Sequence, residues 1–123
     1  MANNPVNWFE IYVDDMERAK KFYEAVLEVK LEKMPGPDIE MWAFPMEENG
    51  AGAAGSLVHM DGFKAGSNST IVYFSCEDCA TEEGRVETAG GKVFKTKFSI
   101  GPYGFIALAN DSEGNMFGLH SMK

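Results

Sequence analysis

Few side chains in this sequence can move a proton or hold a divalent ion. Glu10 stands in the alternating stretch Trp8-Phe9-Glu10-Ile11-Tyr12, and the two histidines are His59 and His120. A carboxylate and an imidazole facing one cleft can work as acid and base if their surroundings bring a pKa near the operating pH. Together with His59 the same pair could hold a metal. It could instead recognise a charged ligand, or serve as structural groups bonded to each other or to nearby backbone. Residue type alone leaves these uses open.

The spacing Cys76-x-x-Cys79 between a strand and a helix is that of a redox pair, and a thiol at a helix start can have a lowered pKa. One such pair without a second pair or a nearby histidine is poor evidence for zinc. A buried thiol acting as a small hydrophobe is the reading preferred here.

The chain that must position these groups has 123 residues, a size suited to one domain spanning residues 1–123. Its 45% hydrophobic and 24% charged residues are ordinary globular values. A net charge of −8 with few clustered Lys and Arg argues against nucleic-acid partners. No run of about 18 apolar residues or signal-like leader is present, so a membrane is not an expected partner and cytoplasmic residence is the default expectation.

Residues 6–13 alternate, with Phe9, Ile11 and Val13 on one face and Trp8, Glu10 and Tyr12 on the other, which predicts a strand. Asp14-x-x-Glu17 predicts a helix start, and Ala19, Phe22, Tyr23 and Val26 form its apolar stripe. Extended pieces follow at 29–34, 40–44 and 55–60, with a break at Pro35-Gly36-Pro37. The pattern then recurs: a strand at 70–76, a helix from Asp78 toward Gly90-Gly91, and strands at 92–98, 105–110 and 115–121. Superimposing Asp15 on Asp78 gives an offset of 63, which pairs Phe9 with Val72, Ile11 with Phe74 and Val13 with Cys76. The prediction is an α+β fold of two tandem βαβββ modules, residues 5–61 and 69–122.

The segments EIYVDDMERAKKFYEAVLEVKLE and ANDSEGNMFGLHS resemble the start and end of the vicinal oxygen chelate superfamily, which includes glyoxalases, bleomycin-resistance proteins and extradiol dioxygenases. The resemblance implies an eight-stranded curved sheet around a cleft, and a homodimer. It also implies metal ligands on the first and last strands of each module, positions that carry over to Trp8, Ile71 and Gly118, with Gly55 added by the repeat offset. None of these side chains can ligate a metal, so no metal and no cofactor is expected at that site.

One strand step away, Glu10, Tyr73 and His120 are placed toward the cleft, with Trp8, Tyr12 and Trp42 as aromatic walls. Met41, Met46, Met60 and Met116 are candidates for an adaptable lining or a dimer seam, with core filling the preferred use for most of them, and the loop Ser99–Gly104 for a flap. The leading reading is a small-molecule-binding protein of the bleomycin-resistance type with a ligand-binding set of Trp8, Glu10, Tyr12, Trp42, Tyr73 and His120. The rival is a glyoxalase-like lyase or isomerase using Glu10 and His120 as catalytic residues, with or without a metal relocated to Glu10, His120 and His59.

Overall fold

The structure, a computed structural model, describes residues 4–35, 39–66 and 68–123. Gly36 and Pro37 of the anticipated break lie outside the described residues. The elements run β1 (Trp8–Tyr12), α1 (Met16–Leu27), β2 (Glu32–Lys33), β3 (Glu40–Ala43) and β4 (Ala54–His59). They then repeat as β5 (Tyr73–Ser75), α2 (Cys79–Val86), β6 (Lys92–Ser99), β7 (Phe105–Asn110) and β8 (Met116–Ser121). The fold is α+β, two βαβββ modules, with its eight strands divided into two four-stranded sheets. Their orders are β1-β4-β3-β2 and β5-β8-β7-β6, and in each the first strand runs parallel to the last.

Helix α1 forms where the stripe predicts it, and Ala19, Phe22, Tyr23 and Val26 are fully buried. Its cap is Asp15, whose carboxylate accepts from the Arg18 N–H, and not Asp14. Asp14 is used elsewhere: its side chain accepts from the Ala65 N–H. Asp78 caps α2 in the same way, so the two caps are true repeat partners. That helix ends at Val86, and a hydrogen-bonded turn carries the chain to Gly90, which takes φ +108°.

The helix-facing sides of both sheets close on one core. Tyr23 lies at its centre, touching Phe44 of the first module and Phe74 and Phe117 of the second at ring separations of 5.6, 5.8 and 5.6 Å. The modules also exchange polar contacts, because the turn 111–115 reaches back to α1 and β1. Asp111 accepts from the Tyr23 hydroxyl at 2.6 Å, and Asn115 Nδ2 donates to the Tyr12 carbonyl at 3.1 Å. Arg85 of α2 donates to the Val26 carbonyl at 2.8 Å, near the end of α1.

The repeat slips by one residue in its last strand. Tyr73 stands opposite Gly118, and with the offset of 63 Glu10 should stand opposite Gly55; it stands opposite Ser56. The backbone bonds Val13 N–H to Val58 O and Cys76 N–H to His120 O repeat the same slip. Side chains alternate along a strand, so a slip of one exchanges the two faces. The counterpart of Gly118 is therefore Ser56, and that of His120 is the buried Val58.

Candidate functional site

Strand periodicity places Trp8, Glu10 and Tyr12 together on the sheet face away from α1. There the indole N–H of Trp8 donates to Glu10 Oε2 at 3.3 Å and the Tyr12 hydroxyl donates to Oε1 at 2.9 Å. Two local donors fix the carboxylate between two aromatic rings. The hydrogen bond to Glu10 raises the Tyr12 phenol above its ordinary value, with burial and the carboxylate's charge adding to it. Tyr12 also stacks on Phe63 at 5.1 Å.

Glu10 and Tyr12 border a cavity of about 300 Å³ along the free edge of β1. Phe9, Ile11, Tyr23 and Phe117 form its apolar floor, while Lys64, Asn68, Thr70 and Met116 close the far side. The segment carrying Lys64, Asn68 and Thr70 is tied to the start of β8 at two points. Gly66 N–H donates to Asn115 Oδ1 at 2.6 Å, and Asn68 exchanges bonds with the Met116 backbone at 3.1 Å in both directions. The sequence signal missed for this segment is the asparagine pair Asn68 and Asn115, whose amides satisfy loop backbone from a distance.

The other anticipated residues are dispersed. Trp42 is opposite Leu57 in the ladder and therefore on the helix side, away from Trp8 and Tyr12. Lys20 of α1 lies over its ring at 3.3 Å, so the expected cleft wall is a cation–π contact beneath α1. Tyr73 lies across Gly118, where a Cβ would overlap its ring, and it does not border the Glu10 cavity. His120 Nε2–H donates to the Tyr103 carbonyl at 2.7 Å, anchoring the segment 101–103, and it lines neither that cavity nor the second one described below. His59 Nδ1–H donates to the Val13 carbonyl at 2.9 Å. Glu10, His120 and His59 are thus each engaged locally, and Glu10 and His120 share no hydrogen bond. Of the four methionines considered for the lining, Met116 borders the cavity, while Met46 is exposed.

The Cys76–Cys79 pair is present as two free thiols. Cys79 is fully buried, and burial, the Glu82 charge and a hydrogen bond from the thiol to the Glu82 carboxylate push Cys76 up to about 12. Thiolate is the reactive form, so native Cys76 is expected to react with a disulfide reagent at pH 8 at least about 100-fold more slowly than in urea. Equal rates with and without urea would contradict the buried placement.

Comparison with known proteins agrees with this architecture. Residues 6–39 match a family described as bleomycin resistance protein-like N-terminal. A glyoxalase/bleomycin resistance protein from Streptomyces sp. CB03234 is similar at 28% identity and TM-score 0.69, over 94% of this chain and 100% of that one. The N-terminal family match and these likenesses support a place in the vicinal oxygen chelate superfamily. An antibiotic binding protein from the same Streptomyces strain is similar at 29% identity and TM-score 0.69, over 98% of both chains. A glyoxalase I variant from Zea mays shares the fold at 22% identity and TM-score 0.76 over 96% of this chain. This chain spans 46% of that maize chain, under half its length. No curated protein sequence matches.

At the positions that the resemblance assigns to the superfamily's metal, the side chains present do not fit one. Trp8, Ile71 and Gly118 offer no ligating side chain, and the fourth position passes from Gly55 to Ser56, whose hydroxyl is fully buried without a protein partner among the described residues. The described residues also contain no group of three or more His, Cys, Asp or Glu able to hold a metal together, so Glu10, His120 and His59 do not form a relocated site.

Proposed function

We propose that this superfamily member binds a small planar cationic molecule beside Glu10. The observation carrying the reading is the cavity of about 300 Å³, in which an apolar floor meets a carboxylate held between Trp8 and Tyr12. Such a site combines aromatic surface with one placed counter-charge, the combination that suits an aromatic cation. The likeness to an antibiotic binding protein supports a binding role. The lyase or isomerase reading needs Glu10 and His120 at one reacting group, and the two border no common cavity.

Titration with acridine orange, followed by fluorescence anisotropy, tests the proposal. Wild type is expected to bind, with Glu10→Gln about tenfold weaker, since Gln retains the shape but loses the charge. Absence of binding, or equal affinity of the two proteins, would overturn it.

A further inference from the structure

A second cavity, of about 320 Å³, opens between Phe9 of β1, residues 73–75 of β5 and the helix residues Leu27 and Glu82. Its walls include Phe9, Leu27, Val29, Phe44 and Phe74, its rim is the small-residue run Ala51–Ala54, and Glu82 of α2 enters from the side. Of the described residues, Phe9 alone borders both this space and the Glu10 cavity.

Glu82 is the unusual group. Its Oε1 is buried and meets no hydrogen-bond donor among the described residues. Neighbouring cations are committed elsewhere: Arg85 to the Val26 carbonyl and Glu28, and Lys97 to Asp78. The nearest donor to the Glu82 carboxylate is the Cys76 thiol, a weak one that is also directed at the Phe74 carbonyl at 3.6 Å, so no strong donor meets this oxygen. A carboxylate oxygen removed from water without a donor is unfavourable for folding.

We propose that this cavity is a binding site for a primary ammonium carried on an apolar body, with Glu82 as its counter-charge. An ammonium brings charged N–H donors to an oxygen lacking them, and the aromatic and aliphatic walls accept the hydrocarbon part. A divalent metal is a poorer match, because one carboxylate among phenyl rings supplies too few oxygens. The site is independent of the proposed use of Glu10, and the two readings can fail separately.

Backbone amide NMR with phenethylammonium chloride is the test, with 2-phenylethanol as a neutral compound of matching shape. Phenethylammonium is expected to shift the amides of Ala53, Phe74, Ser75 and Glu82. Affinity is expected to fall at least about tenfold for 2-phenylethanol or in Glu82→Gln. Glu82→Gln should also melt no lower than wild type, because it removes an unpartnered charge. The proposal is overturned by shifts confined to Glu10 and Asn68, by no shifts, by equal affinity for the alcohol or in the variant, or by a clearly lower melting temperature of Glu82→Gln.

Discussion

Replacing Glu113 with alanine is expected to cost about 2–3 kcal/mol of folding stability, through two backbone donors stranded at a helix start. Glu113 leaves the second module and accepts from the N–H groups of Asp14 and Asp15 at 2.9 Å each, just before the first turn of α1. Arg18 closes on the same carboxylate through Nε and Nη2, and Ser112 adds a fourth donor residue. No stabilisation is credited to the Arg18 charge, since its half-exposed guanidinium returns readily to water. Glu113→Gln retains one acceptor oxygen and should lose roughly half as much. Urea denaturation of both variants measures the loss, and a Glu113→Ala midpoint equal to wild type would contradict it.

The same residue sets a pH response. Burial by itself would raise the Glu113 carboxyl, but the bonds from Arg18, Asp15, Ser112 and Asp14 outweigh it and hold the pKa below the ordinary 4.5. A lowered folded value means its contribution is complete above the unfolded pKa and disappears as pH falls through the folded one. The stability gap between wild type and Glu113→Gln should therefore narrow in acid. Asp111 acts in the opposite sense. Burial raises it above 3.8 despite donors from Tyr23, Asn115 and Glu113, so its contribution is present in acid and lost as pH rises. The acid sensitivity of this turn is accordingly smaller than Glu113 alone would give.

Tyr23→Phe is expected to destabilise by about 1.5–3 kcal/mol, the range for a hydrogen bond to a charged group, without opening a cavity. The ring keeps its contacts with Phe22, Phe44, Phe74 and Phe117, so only the hydroxyl is lost. What remains is Asp111 Oδ2, buried with the Asn115 amide at 3.3 Å as its other donor. Burial, followed by the Asp111 charge and hydrogen bond, holds the Tyr23 phenol well above its ordinary range, so it stays a donor throughout neutral pH. Melting should fall by roughly 10 °C, and a fall under about 2 °C would mean the bond is dispensable.

Local signals made the architecture readable: two alternating strands, two aspartate caps and an apolar stripe at helical spacing each follow from neighbours in the chain. Relations between strands did not follow. Trp42 faces α1 because β3 pairs Trp42 with Leu57, a register that the alternation of β3 alone cannot state. Gly55 gave way to Ser56 because a one-residue slip in β4 leaves the hydrophobic pattern almost intact while exchanging faces. Glu113 lies within the quoted segment ANDSEGNMFGLHS, yet its partners Asp14, Asp15 and Arg18 lie 95 to 99 positions away. Glu10 with Trp8 and Tyr12 was readable because all three share one strand face, whereas Tyr73 and His120 are placed by Gly118 and Tyr103, partners set by pairing far along the chain.

The duplicated pattern also bears on how the chain can be divided. The first helix receives its entry clamp from Glu113, its buried tyrosine is answered by Asp111, and its exit carbonyl at Val26 is capped by Arg85, all from the second copy. The two halves supply each other's missing hydrogen-bond partners. Severed between residues 61 and 69, neither would retain a complete set of partners, so the unit that repeats in the sequence is smaller than the unit that satisfies its own hydrogen bonds.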